Sequence, residues 1–85
     1  MTQFQYIVQD PEGLHARPAG KLAKFAQECS SEIIISLNGK TANTKRLFAI
    51  LGLGVKQGDK ITVQVQGDKE LSDCKRLEEF CKDFI

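Results

Sequence analysis

The segment Glu12–Gly20, EGLHARPAG, holds the one histidine of this 85-residue chain, with an arginine two residues on and a proline after it. Histidine titrates nearer neutral pH than any other ordinary side chain, and its uncharged ring keeps a nitrogen lone pair for nucleophilic attack. Arginine offers parallel N–H donors and a charge that does not titrate, which suits an anion of phosphate geometry. The third ingredient is position. Hydrophobic spacing puts His15 at or just before the first residue of a helix. There the backbone N–H groups lack intrahelical partners and the positive end of the helix dipole favours anions. That end also disfavours a second positive charge, so an uncharged ring is expected. As a structural cap, histidine is a poor choice beside Ser, Thr, Asp or Asn.

The rest of the sequence narrows the chemistry. No serine–histidine–acid set, paired-glycine phosphate loop or metal-ligand cluster accompanies His15. A nucleophilic imidazole in an anion-stabilising setting, without machinery for attacking a small substrate, describes a carrier. A phosphoryl group would rest on the ring, held by the N–H groups of Ala16 and Arg17 and by the Arg17 guanidinium, until another protein takes it. Cys29, Cys74 and Cys81 form no CxxC pair, and an odd number cannot all pair within one chain. They read as reduced, buried thiols of a cytoplasmic protein in preference to a zinc site or a reactive thiol.

The elements that must position His15 follow from periodicity. QFQYIVQ alternates, with Phe4, Tyr6 and Val8 on one face, and DPEG (Asp10–Gly13) is a turn. From Ala16 to Cys29 the period becomes helical. Ala19, Leu22, Phe25, Ala26 and Cys29 share a buried face, and Arg17, Gly20, Lys21, Lys24 and Gln27 a solvated one. Pro18 is tolerated in the first turn. SEIIISLNGKTAN reads as a hairpin turning at Asn38-Gly39, with Ile33, Ile35 and Leu37 inward. A short helix is expected over Leu47–Leu51, stopped by Gly52, and a strand over Lys60–Gln66. A last helix is expected over Lys69–Asp83 with a core stripe of Leu71, Cys74, Leu77, Cys81 and Phe84. The order is β-α-β-β-α-β-α, an α+β fold with one antiparallel sheet covered on one face by helices.

Composition agrees with one modest domain, residues 1–85: 41% of residues are hydrophobic, 27% are charged and the net charge is +1. The longest apolar run, Leu47–Val55, is too short to span a bilayer, and the amino terminus does not read as a secretory signal. Near-neutral charge argues against nucleic-acid binding. Such a module would also need an aromatic platform on an open sheet face, which only Phe4 and Tyr6 could provide.

GLHARPA (Gly13–Ala19) resembles the active-site signature of the HPr family, the histidine-containing phosphocarriers of the bacterial phosphoenolpyruvate-dependent sugar phosphotransferase system. The likeness extends through SEIIISLNGKTANTKRLFAILGLGVKQGDKITVQVQGDKE and covers nearly the whole chain. The resemblance implies an open-faced β-sandwich of four antiparallel strands and three helices. It further implies that Nδ1 of His15 accepts a phosphoryl group from phosphorylated enzyme I and passes it to sugar-specific enzyme II A components, with Arg17 stabilising the charge. The chain would be a carrier rather than an enzyme, monomeric, with no cofactor beyond the transient covalent phosphoryl group and no membrane insertion. Its docking surface would join Ala16, Arg17, Gly20, Lys24 and Gln27 to an apolar knob of Leu47, Phe48 and Leu51. That knob has independent grounds, because LFAIL carries more large apolar residues than so short a helix can bury on one face.

Two positions depart from the family pattern. Many members carry a regulatory serine just before the Leu-Phe pair, where this chain has Arg46. A guanidinium cannot be phosphorylated by a serine kinase, so that regulation is expected to be absent. Thr44 is a conceivable substitute, though a helix-capping hydroxyl is the simpler reading. Gly20 stands where alanine is common, at a cost of about 1 kcal/mol to the helix. The competing reading within the family is a regulatory binding module acting mainly through protein–protein contacts.

Overall fold

The computed structural model describes all 85 residues. It contains β1 (Thr2–Ile7), α1 (Ala16–Glu28), β2 (Glu32–Leu37), β3 (Lys40–Asn43), α2 (Leu47–Gly52), β4 (Lys60–Gln66) and α3 (Glu70–Phe84). The four strands form one antiparallel sheet in the spatial order β1-β4-β2-β3. The fold is the expected open-faced α+β sandwich.

Alternation in the sequence fixes which face the helices cover. In β4, Ile61, Val63 and Val65 point inward, and the register sets Val63 beside both Ile35 and Phe4, with Val65 beside Ile33. A slip of one residue would turn all of these to water, so the pairing is strongly specified. Phe4 and Tyr6 pack against this core, which leaves the glutamines of β1 outward. The open face therefore has no aromatic platform from these residues, which removes the main support for a nucleic-acid reading. The β2–β3 hairpin turns on Asn38 and Gly39 with φ of 51° and 85°, the left-handed pair that a two-residue turn between twisted strands requires.

α1 buries Pro18, Ala19, Leu22, Ala23 and Ala26, the last four within the hydrophobic core. In α3 the expected stripe needs correction at two positions. Cys74, Leu77 and Cys81 are buried, but Leu71 is 75% exposed and Phe84 is 43% exposed, while Phe80 and Ile85 take core places. At roughly 100° per residue, Leu71 lies about 120° around the helix from Leu77, off the packed face. Phe84 lies on the right side but in the last turn. Its ring stacks on Phe80 with centroids 4.9 Å apart, and Phe80 in turn meets Phe25 of α1 at 5.2 Å. These three rings join α3 to α1 beside the loop that carries His15.

Two polar groups are buried with their partners. Ser31 donates to Asp73 Oδ2 at 2.6 Å, pinning the start of β2 to α3. Thr44 Oγ1 donates to the Ile33 carbonyl at 2.9 Å and is fully buried. Thr44 is thus neither a helix cap nor an accessible phosphate acceptor. The residue at the α2 cap position is Arg46, whose side chain makes no capping bond. All three cysteines are free and buried. No helix is long and apolar enough to cross a membrane.

Candidate functional site

The loop from Val8 to His15 is tied down along its length. Val8 N–H donates to the Asp59 carbonyl at 2.9 Å, and the Asp10 N–H donates to an Ile85 backbone oxygen at 2.7 Å. The DPEG turn closes through Gly13 N–H to the Asp10 carbonyl at 2.8 Å and Glu12 N–H to Asp10 Oδ1 at 2.9 Å. Leu14 then donates to the Val55 carbonyl at 3.1 Å, and its side chain is core. Gly13 makes this passage possible. Its φ is +69°, and a Cβ there would sit 2.3 Å from the Val55 carbonyl oxygen. His15 leaves this anchored turn in an extended conformation, φ −82° and ψ −176°, as the cap residue of α1.

His15 makes no side-chain cap bond, so its ring is released toward solvent, 32% exposed. Its carbonyl accepts the first helical bond, from Ala19 N–H at 2.9 Å. The amides of Ala16 and Arg17 have no partner within the protein, and no acidic residue occupies the first turn to satisfy them. The helix start therefore presents unused donors and positive potential beside the imidazole, as expected from the sequence.

His15 and Arg17 line one cleft of about 380 Å³ together with Asp10, Pro11, Glu12, Pro18, Lys21 and Phe84. Lys21 adds a second cation, its Nζ 4.5 Å from the centre of the Phe84 ring. Spacing alone puts Lys21 on the solvated helix face and Phe84 in the core; both belong to this cleft. The sequence alone marks Asp10 and Glu12 only as turn residues. Both carboxylates face the ring: Asp10 Oδ2 lies 3.4 Å from Nε2, and Glu12 Oε2 lies 3.5 Å from Nδ1. The available signal was their spacing, five and three residues before the histidine across a Pro-Gly turn that folds back on itself.

The other positions named for docking form a neighbouring surface. Ala16, Lys24 and Gln27 are exposed and Gly20 is partly exposed on α1. Gln27 also donates to the Lys45 carbonyl at 2.9 Å, joining α1 to the approach to α2. On α2, Ile50 is buried, Leu47 and Leu51 are half-buried and Phe48 is 83% exposed. Arg46 is exposed at its start. No cluster of three or more His, Cys, Asp or Glu side chains is arranged to hold a metal ion.

Comparison with known proteins gives the family. The family model described as "PTS HPr component phosphorylation site" matches residues 2–83. The phosphocarrier protein HPr of Buchnera aphidicola subsp. Acyrthosiphon pisum is 46% identical over 70 residues, 82% of each chain. That of Mycoplasma capricolum subsp. capricolum is 43% identical over 68 residues, 80% of this chain and 76% of the relative. A solved histidine-containing phosphocarrier protein of Mycoplasma superposes with a TM-score of 0.92 at 35% identity, covering 96% of this chain and 93% of that one. A cleft built around a released histidine at a helix start, on this fold and with relatives this similar along most of their length, places the chain in the HPr family of phosphocarrier proteins.

Proposed function

We propose that His15 takes a phosphoryl group from phosphorylated enzyme I of the phosphoenolpyruvate-dependent sugar phosphotransferase system and delivers it to sugar-specific enzyme II A components. The observation that carries this reading is the imidazole at the α1 cap position, beside the unpaired amides of Ala16 and Arg17 and in one cleft with the Arg17 side chain. Phosphoryl transfer asks little covalent chemistry of a protein. It requires an in-line nucleophile and preorganised donors around the equatorial oxygens. The ring supplies the first. The two amides, Arg17 and Lys21 supply the second.

The same cleft limits how firmly the cargo is held. Asp10 and Glu12 are close enough to repel a dianionic phosphoryl group, opposing the attraction of Arg17 and Lys21. A carrier needs that balance, since a tightly bound phosphoryl group would not move on. In this reading the chain is a cytoplasmic monomer that is itself the substrate of partner enzymes, and it needs no cofactor. Partners dock on the exposed strip of Ala16, Arg17, Gly20, Lys24 and Gln27 and on the knob of Leu47, Phe48 and Leu51. Phe48 is its centre, because a large exposed ring gains most when a partner covers it. Arg46 excludes control by serine phosphorylation at that position.

The test is reconstitution with phosphoenolpyruvate, enzyme I and an enzyme II A component. Labelled phosphoryl groups should appear on this chain and then on the II A component, and His15→Ala should abolish both. Equal uptake by His15→Ala rejects the acceptor assignment. Tight binding of other proteins without phosphoryl uptake would instead indicate a regulatory module.

A further inference from the structure

We infer that Asp10 is a positioning residue: it holds the ring proton of His15 on Nε2 and so keeps Nδ1 free to attack phosphorus. The inference rests on the carrier reading above and adds a residue and a tautomer to it. Its basis is an asymmetry between the two carboxylates that face the ring. Asp10 is fixed three times over. Its N–H donates to an Ile85 oxygen at 2.7 Å, its carbonyl accepts from Gly13 at 2.8 Å, and its Oδ1 accepts from Glu12 N–H at 2.9 Å. That leaves Oδ2 as the carboxylate oxygen without a bond of its own, 3.4 Å from Nε2, with the side chain only 26% exposed. Glu12 faces Nδ1 at 3.5 Å, but its side chain is 75% exposed and has no bond to hold it there. The remaining charged side chains lining the cleft, Arg17 and Lys21 of α1, are cations, and α3 contributes only the Phe84 ring.

A carboxylate can only accept, so the nitrogen it faces carries the hydrogen, and the other nitrogen of a neutral ring keeps its lone pair. The fixed partner therefore selects Nε2–H, while the loose one can swing away from Nδ1 as a phosphoryl group arrives. The 3.4 Å separation is long for a hydrogen bond and has room to close when the ring gains positive charge. In the forward step the Nδ1 lone pair forms the bond to phosphorus while the bond from phosphorus to the donor protein breaks, its electron pair leaving with the donor. The proton stays on Nε2, and Asp10 offsets the positive charge now on the ring. In the onward step the Nδ1–phosphorus pair returns to Nδ1 and the ring is neutral again. No proton enters or leaves.

Asp10→Asn gives a sharp test. If the amide oxygen keeps the bond from Glu12 N–H, the NH₂ group faces Nε2, and a donor there makes Nε2 the lone-pair nitrogen and puts the hydrogen on Nδ1. Nitrogen-15 NMR of ring-labelled, unphosphorylated protein, titrated to the neutral ring, should show Nε2–H in the natural chain and a shift toward Nδ1–H in Asp10→Asn. Phosphorylation by enzyme I should slow about tenfold or more in kcat with KM little changed, whereas Glu12→Gln should leave the tautomer in place. A natural chain whose neutral ring is mainly Nδ1–H overturns the assignment without any variant. An unchanged tautomer in folded Asp10→Asn overturns it equally. Nε2–H in a natural chain that takes up no phosphoryl group would refute the acceptor reading and leave the assignment of Asp10 standing.

Discussion

Replacing Gly13 by alanine tests how the loop that presents His15 is held. Gly13 combines φ of +69° with backbone contact, since an added Cβ would meet the Val55 carbonyl oxygen at 2.3 Å and Lys56 Cα at 2.7 Å. Holding a residue with a side chain in the left-handed region costs about 1–2 kcal/mol. Relieving a clash with backbone, which cannot rotate aside, adds roughly 1–3 kcal/mol. Together these predict a loss of about 2–5 kcal/mol, a large part of the total stability of a domain this size. At roughly 4–8 °C per kcal/mol, Tm should fall by at least about 8 °C. Gly20→Ala is the control. Nothing lies within 4 Å of its added Cβ, and a mid-helix alanine should raise stability by up to about 1 kcal/mol. Urea unfolding followed by far-ultraviolet circular dichroism measures both. A Gly13→Ala protein within about 0.5 kcal/mol of the natural chain, at unchanged m-value, would refute the claim that this glycine seats the loop.

Phe48→Ala should leave unfolding free energy within about 0.5 kcal/mol, because the ring is 83% exposed, yet raise the KM of phosphoryl transfer about tenfold; a stability loss with unchanged kinetics would place Phe48 in the core instead. Arg17→Glu should slow transfer both onto and off His15 while Tm changes little, read by rapid-quench kinetics beside a thermal melt. Burial pushes the Cys81 thiol from an ordinary value of 9.0 up to about 12, so the fold favours its protonated form. That contribution is intact below about pH 9 and is lost at about 1.4 kcal/mol per pH unit as pH rises toward 12, so Cys81→Ala should show a shallower fall in urea midpoint across this window.

Most of the fold was legible because the core is written in clean periods. Ile61, Val63 and Val65 alternate without interruption, and Ala19, Leu22 and Ala26 recur at helical spacing. His15 was legible for a chemical reason, being a residue poorly suited to capping at a place where donors are free. Contacts made by folding rather than by spacing stayed hidden. Phe84 falls on the apolar stripe of α3, and only the packing of that helix against α1 brings its ring to the cleft under Lys21. Thr44 sits two residues before the α2 cap, and only the β2–β3 pairing buries its hydroxyl against Ile33. Asp10 and Glu12 reach the imidazole because the turn folds back through Gly13, which spacing along the chain does not reveal.

The most direct test is phosphorus-31 NMR, with intact-mass measurement, on the chain after incubation with phosphoenolpyruvate and catalytic enzyme I. The expected result is one added phosphoryl group per molecule, with the resonance of a phosphorus–nitrogen bond at Nδ1 of His15, lost on mild acidification. A phosphoryl group on any hydroxyl, on Nε2, or on none of the molecules under conditions that charge a known carrier would contradict it.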